Sequence, residues 1–286
     1  MNDKSTSFHE KQPINCNGKI LSFDIPRIMG VLNVTPDSFY DGGRFDVPAN
    51  ALKQCEKMVN EGADIVDIGG ASTRPGATEI SIKEETERIL PVLKGARENF
   101  PALILSVDTF HSEVARIAIE EGADIINDIS GGTFDPVMLE TVASSGLPYI
   151  IMHIKGKPET MQQNTEYDNV VSEVRDFLFN AAGEARARGI RDIIVDPGFG
   201  FGKNLKHNFL LLKHLERFSD KGYPVMAGIS RKSLINKVLG TLPGTALNGT
   251  TILNTLALLN GADILRVHDV REASQVRELV NYYRSV

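Results

Sequence analysis

Polar side chains follow almost every short apolar run in this chain, and they are of the types that bind and activate small molecules. Carboxylates and amides can pair with the hydrogen-bonding edge of a flat heterocycle, whereas arginine and lysine bind anions. A single position of this kind is often only a helix cap or a turn residue. Their recurrence after distant runs predicts one ligand site, whose candidates are Asn33, Asp67, Asp108, Asn127, Asp128, His153, Asp196, Ser230 to Lys232, Arg266 and His268.

A glycine-rich stretch, Gly198 to Lys203, has the sequence GFGFGK. Its spacing matches neither the phosphate-binding G-x-x-x-x-G-K-[ST] loop nor the dinucleotide-binding G-x-G-x-x-G fingerprint. Because glycine lets the backbone approach a ligand closely, the stretch predicts either a flexible loop or a loop against a flat ligand, with Phe199 and Phe201 as walls. The sequence has no HExxH motif and no G-x-S-x-G elbow, so we expect neither a zinc site nor a serine hydrolase.

Apolar runs alternate strictly with helical patterns along the chain. The runs lie near residues 28–33, 64–68, 103–108, 124–128, 148–153, 192–196, 224–229 and 263–268. The helical patterns lie near residues 48–61, 83–99, 111–121, 135–145, 170–188, 206–220, 249–260 and 271–284. Runs that are apolar throughout are typical of parallel strands buried on both faces, and eight such units predict an α/β fold, a single-domain (β/α)8 TIM barrel. The alternative, a doubly wound open sheet, is disfavoured because Asn33 to Pro36 stands where its glycine fingerprint belongs.

Three segments repeat one local pattern of helix end, glycine turn and strand. They are residues 61–66, 121–126 and 260–265. Glycine suits the left-handed conformation that closes a helix. The aspartates that open these strands are Asp64, Asp124 and Asp263. Because they lie at the opposite strand ends from the candidate ligand site, we expect them to stabilise turns.

The composition excludes several classes of protein. Of the 286 residues, 42% are hydrophobic, which excludes a disordered chain. The net charge of −6 argues against nucleic-acid and membrane-surface partners, and no apolar run approaches the ~18 residues of a membrane span. Cys16 and Cys55 form neither a disulfide framework nor a metal motif.

The domain boundaries are predicted from the same patterns. Residues 1–20 are polar and lack the apolar segment of a secretory signal. We therefore interpret residues 1–20 as a flexible N-terminal arm and residues 21–286 as the barrel. A cytoplasmic location is the default expectation for such a chain.

Two longer segments resemble the signatures of the dihydropteroate synthases, a family of pterin-binding enzymes. Residues 28–45 read IMGVLNVTPDSFYDGGRF and residues 67–77 read DIGGASTRPGA. Ala71 stands where the bacterial family usually has glutamate, and Tyr40 where serine is common. Shorter matches follow in family order, namely Val107 to Thr109, Asn127 to Ile129, Met152 to His153, Asp196 to Lys203, Ser230 to Ser233 and Arg266 to Asp269.

The resemblance implies that p-aminobenzoate displaces diphosphate from a dihydropterin methyl diphosphate, giving 7,8-dihydropteroate for folate biosynthesis. It implies that Asp108, Asn127, Asp196 and Lys232 bind the pterin, and that Asp108, Asp196 and Lys232 are catalytic. Diphosphate is expected at Asn33, Thr73, Arg74, Arg266 and His268, with Mg²⁺ bridging its oxygens and held by Asn33. The p-aminobenzoate site is expected to contain Phe39, Thr73, Pro75, Phe201, Lys232 and Ser233.

The implied chemistry is dissociative. Diphosphate leaves first, and Asp108 and Asp196 stabilise the resulting pterin methyl cation electrostatically. The loops after the first and second strands are expected to close over p-aminobenzoate and exclude the water that would otherwise capture this cation. The family also implies a homodimer; the pattern at 249–260, apolar around much of its circumference, suits an interface or a helix buried within a monomer.

Other hypotheses remain open on the sequence. A folate- or pterin-dependent methyltransferase barrel would share the pterin-binding Asp and Asn but would not need Arg74 or the Arg266–His268 pair. A barrel that binds pterin without turnover and a lysine aldolase that uses Lys232 are further alternatives. For Arg266 and His268 alone, the alternative is a surface ion pair with Asp269.

Overall fold

A computed structural model of the chain describes residues 11–35, 47–72, 76, 80–163 and 165–286. A small antiparallel hairpin, β1 (Ile14–Cys16) and β2 (Lys19–Leu21), precedes the main sheet. The eight strands of that sheet are β3 (Arg27–Asn33), β4 (Ile65–Gly69), β5 (Ile104–Asp108), β6 (Ile125–Asp128), β7 (Tyr149–Met152), β8 (Ile193–Asp196), β9 (Met226–Ala227) and β10 (Ile264–Val267).

The strand order confirms the predicted TIM barrel. From β3 to β8 each strand pairs in parallel with the next, β10 pairs with both β9 and β3, and a parallel bridge from Val195 to Val225 joins the two remaining edges. The surrounding helices are α1 (Val47–Asn60), α2 (Ile82–Asn99), α3 (Ser112–Glu120), α4 (Met138–Ser145), α5 (Val170–Ala187), α6 (Leu205–Lys213), α7 (Ser233–Leu239), α8 (Leu247–Leu259) and α9 (Val270–Ser285). No helix among the described residues is long and apolar enough to cross a membrane.

Two helical predictions differ from the structure. The pattern at 206–220 divides at His214 into α6 and a short 3-10 segment, Leu215–Ser219. Between β9 and α8 lies α7, which the strict alternation of eight strands and eight helices did not include. Seven residues are too few to show a helical period, and Gly240, with φ +64°, ends α7 after two turns.

One apolar layer fills the lower end of the barrel. Each barrel strand contributes one inward side chain to it, namely Met29, Ile65, Ile104, Ile125, Ile150, Ile194, Met226 and Ile264. Side chains alternate across a strand, so the next inward position of every strand lies one layer closer to the carboxyl ends. The apolar layer therefore closes one end and leaves the other for polar residues.

The hairpin covers this layer from below. Ile14, Cys16 and Leu21 are buried against it, and the Asn15 N–H donates to Asp192 at 3.0 Å. Residues 14–21 are therefore a folded hairpin, which differs from the expected flexible arm over residues 1–20. The reason is that the apolar side chains of the hairpin pack against the apolar layer of the barrel. Residues 1–10 lie outside the described part of the chain.

The repeated aspartates hold neighbouring strands together at the same end. Asp64 accepts the N–H of Ile28, Asp124 that of Leu105, and Asp263 that of Val225, at 2.7–2.9 Å. Each carboxylate thus anchors the start of the preceding strand in the barrel. The glycines of the repeat, Gly62, Gly122 and Gly261, have φ between +97° and +99°, as the helix-closing role requires.

Candidate active site

The upper half of the barrel interior contains a connected polar cluster centred on Arg266. Arg266 Nε donates to Asp67 Oδ2 at 2.7 Å, and Asn127 Nδ2 donates to the same oxygen at 2.9 Å. Arg266 Nη2 donates to Asp108 Oδ2 at 2.6 Å. One guanidinium therefore joins three strands, and it orients Asn127 by way of Asp67.

Opposing electrostatic effects act on Asp108. Burial raises its pKa, Arg266 lowers it and Asp67 raises it again, with the result that the pKa of Asp108 is about 7. Burial lowers the pKa of Arg266, but Asp67 and Asp108 outweigh it and raise the pKa above its ordinary value. The cluster thus has a permanently charged guanidinium beside a carboxylate that titrates near neutrality.

Asp196 and Lys232 face one another across a glycine. A Cβ added at Gly228 would lie 3.8 Å from Asp196 Oδ2 and 3.9 Å from both Lys232 Nζ and Arg266 Cβ. Burial raises the pKa of Asp196 against the effect of Lys232, and burial lowers the pKa of Lys232 to about 8 against that of Asp196. The missing side chain leaves a space edged by a carboxylate and an ammonium, which suits a ligand that offers donors beside an acceptor.

The turn that carries Lys232 has a strained backbone. Arg231 has φ +56°, in the left-handed region that an arginine rarely occupies. Its N–H donates to Thr250 Oγ1 at 3.1 Å, and its guanidinium binds both carboxylate oxygens of Asp269, with Nε at 2.9 Å and Nη2 at 2.5 Å. These contacts from α8 and from the end of β10 stabilise the turn, so that Ser230 and Lys232 both face the barrel mouth.

Asn33 and His268 lie at the rim of the same mouth. A Cβ added at Gly69 would lie 3.6 Å from both Asn33 Oδ1 and Asp108 Cβ, so a second glycine leaves space between these two side chains. The His268 ring Nδ1 lies 3.2 Å from the buried hydroxyl of Ser230. Asn33 therefore lies beside Asp108, whereas His268 lies beside Ser230.

The sequence profile of the family described as pterin binding enzymes matches residues 29–268. This chain belongs to the pterin-binding enzyme family. Among curated relatives, the dihydropteroate synthase of Haemophilus influenzae is 47% identical over 262 residues, which are 91% of this chain and 94% of that protein. The dihydropteroate synthase of Escherichia coli K12 is 43% identical over 265 residues, 92% and 93% of the two chains.

Solved structures of the pterin-binding family agree with this placement. A dihydropteroate synthase from Xanthomonas albilineans with 4-aminobenzoic acid has a TM-score of 0.91 and 41% identity, covering 96% of this chain and 99% of the other. The same enzyme in complex with 7,8-dihydropteroate has a TM-score of 0.88 and 38% identity, covering 96% of this chain and 100% of the other. The Yersinia pestis dihydropteroate synthase in a sulfonamide drug complex has a TM-score of 0.91 and 39% identity, and it also covers 96% of this chain and 100% of the other.

The structure brings together most of the site residues that the family resemblance implied. Asp108, Asn127, Asp196, Lys232 and Arg266 surround the central space, with Asn33 and His268 at its rim. Ser233 begins α7 next to Lys232, and the Phe201 ring centroid lies 4.5 Å from Lys232 Nζ. Phe39, Thr73, Arg74 and Pro75 lie outside the described residues.

The alternative interpretation of Arg266 is wrong. Asp269 pairs with Arg231, whereas Arg266 pairs with the buried carboxylates of Asp67 and Asp108. The resemblance implied that Arg266 binds diphosphate. Its contact with Asp108 shows that Arg266 also lies next to the expected pterin site.

Sequence patterns assigned no specific role to two residues that prove central. Asp67 was only one of many strand-end carboxylates, and Lys203 only the last letter of a glycine-rich stretch. Lys203 is 3% exposed, and its ammonium contacts backbone carbonyls of two loops. A lysine that ends an otherwise apolar and glycine-rich stretch was the available signal, because lysine is rarely buried without partners.

Proposed function

We propose that this chain is a dihydropteroate synthase that condenses p-aminobenzoate with 6-hydroxymethyl-7,8-dihydropterin diphosphate. The observation that supports this most is the space at Gly228, which is edged by Asp196 Oδ2 and Lys232 Nζ and adjoins the Arg266 cluster. Relatives bearing this name cover nearly the whole chain, and one of the similar structures contains 7,8-dihydropteroate. The product would serve folate biosynthesis.

The pterin edge fits the groups around this space. An aminopyrimidinone presents parallel N–H donors, which a carboxylate such as Asp196 accepts in a paired geometry. Lys232 donates to the ring carbonyl, and Asp108 and Asn127 bind the remaining edge. One N–H of Asn127 Nδ2 donates to Asp67, which leaves the amide oxygen and the second N–H for a ligand.

Asn33, His268 and the loop residues Thr73 and Arg74 are proposed to bind the diphosphate, with Arg266 between the diphosphate and pterin positions. Mg²⁺ fits this rim, because the Asn33 amide oxygen is a hard ligand beside open space, and Mg²⁺ keeps several waters while binding one or two protein groups and substrate phosphates. The described residues contain no group of three or more His, Cys, Asp or Glu that would hold a metal without substrate. When bound, the ion would neutralise charge on the leaving diphosphate.

The reaction breaks the bond between the methylene carbon and the diphosphate oxygen, and the electron pair leaves with diphosphate. The cation that remains is delocalised into the pterin ring, where Asp108 and Asp196 stabilise it in a pocket shielded from water. The aniline nitrogen of p-aminobenzoate then forms the new bond to carbon and releases one proton. We place the p-aminobenzoate ring between Phe201 and the loop residues Phe39, Thr73 and Pro75, with Lys232 and Ser233 beside it.

A turnover assay tests the proposal. The protein is mixed with the dihydropterin diphosphate, Mg²⁺ and labelled p-aminobenzoate, and we expect labelled dihydropteroate and diphosphate in equal amounts. Methyl transfer from a methylated folate to a corrinoid protein is measured in parallel. Methyl transfer without dihydropteroate formation would favour the methyltransferase alternative and overturn the proposal.

The pH dependence of kcat/KM is expected to be bell-shaped. Asp108 must be ionised to accept a pterin N–H, so kcat/KM falls as the pH drops below its pKa of about 7. Lys232 must be protonated to donate, so kcat/KM also falls above its pKa of about 8. Because kcat/KM reports groups of the free enzyme, steady-state rates from pH 5.5 to 9.5, in steps of roughly half a unit, measure both limbs.

The variant Lys232→Arg separates the two limbs of this profile. Arginine stays protonated throughout the range, so the residual activity of this variant should keep the acid limb and lose the alkaline limb. The ionisation of the substrate is the same for both proteins and cancels in the comparison. An alkaline limb that persists in the arginine variant would show that another group causes it.

We further propose that the protein is a homodimer that associates through α8. Leu253, Ala257 and Leu258 are buried against the barrel, whereas Ile252, Leu256 and Leu259 on the other face are 40–50% exposed. Helix α8 is therefore not fully buried within the monomer. Val238, Leu239 and Leu242, at the end of α7 and just beyond it, are also exposed, and a Cβ added at Gly249 of α8 would lie 3.1 Å from Leu239 Cδ1. Contiguous apolar surface of this kind is typical of a protein interface.

Sedimentation velocity tests the dimer. We expect the wild-type protein to sediment as a dimer at micromolar concentration and Leu256→Glu to sediment as a monomer, because a charge at the centre of an apolar interface is strongly unfavourable. The control is Ile20→Glu, which adds the same charge at an exposed apolar side chain of the hairpin. A monomeric wild type, or equal effects of the two substitutions, would contradict the α8 interface. The cytoplasmic location stays a prediction.

A further inference from the structure

We propose that Lys203 is a positioning residue for the pterin site: its buried ammonium holds the loop 198–203 against the end of β7, so that this loop in turn holds Asp196 and Lys232 in place. The inference rests on the proposed function, because Asp196 and Lys232 matter only if they bind pterin. It concerns two conspicuous residues of the sequence, Lys203 and His153, to which the proposed chemistry gives no role.

Lys203 is surrounded by acceptors. Its Nζ lies 2.9 Å from the carbonyl oxygens of Gly198 and Phe201, 3.1 Å from that of His153, and 2.9 Å from His153 Nδ1. An ammonium has three N–H donors, so four acceptors satisfy it fully without water. Two of these acceptors belong to the loop and two to the residue that follows β7, which makes Lys203 a cross-link between them.

His153 is adapted to this partner. Burial and the neighbouring Lys203 lower its pKa to about 2, so the ring is neutral and Nδ1 can accept. The Phe177 ring stands edge-on at a centroid distance of 4.9 Å, and the Tyr167 ring lies at 6.1 Å. The imidazole is thus held in a mostly aromatic wall with its acceptor directed at the ammonium.

The loop backbone is shaped for the same contact. Gly198 has φ +69°, and a Cβ there would lie 2.0 Å from the His153 carbonyl oxygen; a Cβ at Gly202 would lie 2.8 Å from the carbonyl oxygen of Lys155. Only glycine allows the two loops to approach so closely. Gln162 and Tyr167, from the loop after β7, donate to the carbonyls of Gly200 and Gly202 and brace the outer side.

The loop held in this way contacts both groups that edge the pterin space. The Gly198 N–H donates to Asp196 Oδ1 at 2.7 Å, and the Phe199 carbonyl accepts from Lys232 Nζ. The two loop carbonyls bound by Lys203 belong to Gly198 and Phe201, on either side of Phe199. Displacement of the loop would therefore move an anchor of Asp196 and an anchor of Lys232 together.

A purely structural role would not require a charge at this position. Burying an ammonium is costly, and apolar residues of similar size often serve packing equally well. The charge also acts on Asp196, since Lys203 is one of the cations that oppose the effect of burial on the pKa of this carboxyl. Lys203 thus lowers the pKa of Asp196 as well as holding the loop, while burial lowers the pKa of Lys203 itself well below its ordinary value.

The test compares Lys203→Met, which keeps the length of the side chain, with Asp124→Asn, which weakens the aspartate contacts at the opposite end of the barrel. We expect Lys203→Met to weaken binding of a neutral pterin, measured by calorimetry, by roughly 100-fold, which is the scale of losing one hydrogen bond to a charged group. Loss of the Lys203 charge also raises the pKa of Asp196. We therefore expect the ionisation of Asp196 to join that of Asp108 and to move the acid limb of the kcat/KM profile to higher pH. Asp124→Asn should lower the unfolding temperature and leave both quantities unchanged.

Pterin affinity and an acid limb like those of the wild type in folded Lys203→Met, with only a lower unfolding temperature, would overturn the inference. If Lys203→Met does not fold, Lys203→Gln carries the test, since its amide can still donate two hydrogen bonds but has no charge. In Lys203→Gln, a smaller change in the same direction supports the inference, and wild-type affinity with a wild-type acid limb overturns it. A wild-type protein that does not produce dihydropteroate would instead refute the proposed function on which the inference depends.

Discussion

Asp196→Asn is expected to weaken pterin binding by about 2–3 kcal/mol, roughly 30- to 150-fold in dissociation constant. In the native site Oδ1 accepts the Gly198 N–H, and Oδ2 borders the open space at Gly228. Asparagine can keep its oxygen on Gly198 only by directing its NH₂ into that space. A donor would then oppose the donor edge of the pterin, and the anion that stabilises the methyl cation would also be lost.

Calorimetry with a pterin monophosphate analogue measures this effect. The matched control is Asp192→Asn. It makes the same change at the residue that precedes β8, where Asp192 accepts the N–H of Asn15 far from the pterin space. We expect the control to bind pterin as the wild type does. Equal affinities of the wild type and Asp196→Asn would show that Asp196 does not contact the ring.

Arg266→Ala is expected to have the largest effect on stability, with a loss of about 3–5 kcal/mol in the free energy of unfolding. Asp67 is fully buried, and Asp108 is nearly so. Without the guanidinium the two carboxylates face one another in a water-poor interior, and at least one must take up a proton. Pterin binding should fall as well, because Asp108 would no longer be held as an acceptor.

Urea unfolding at pH 7.5 measures the stability loss, and a second substitution tests its cause. If repulsion between carboxylates is responsible, Asp67→Asn in the Arg266→Ala background should restore part of the lost stability. Arg266→Lys should be intermediate, because an ammonium cannot present Nε and Nη2 to two different partners. Full additivity of the Asp67 and Arg266 effects would contradict the coupling that the geometry predicts.

His268→Ala is expected to affect the diphosphate region at the rim without affecting the Arg266 cluster beside the pterin site. It removes a group from the rim and leaves the bonds of Arg266 to Asp67 and Asp108 in place. The substitution should therefore raise the KM for the diphosphate substrate with little change in unfolding free energy. This contrast shows why Arg266 and His268 are unequal partners, although both leave the end of one strand.

The sequence by itself determined the architecture. Eight apolar runs alternating with helices are a local signal, because a strand buried on both faces must be apolar throughout. The repeated glycine and aspartate also act locally, with the glycine closing a helix and the aspartate accepting an N–H from the adjacent strand. Since parallel strands of a barrel end at one face, the polar residues after each run could be assigned to a common site before their contacts were known.

Only the tertiary structure decided which of those groups are partners. Nothing within a short segment shows that Arg266 serves Asp67 and Asp108, because these carboxylates lie 199 and 158 positions away. The hairpin, the separate helix α7 and the burial of Lys203 were missed for the same reason. A hairpin strand of three residues or a helix of seven has no readable period, and the environment of a lysine depends on what another loop places around it. Local periodicity specifies elements, whereas charge pairing and burial are set by the distances between elements that only the folded chain defines.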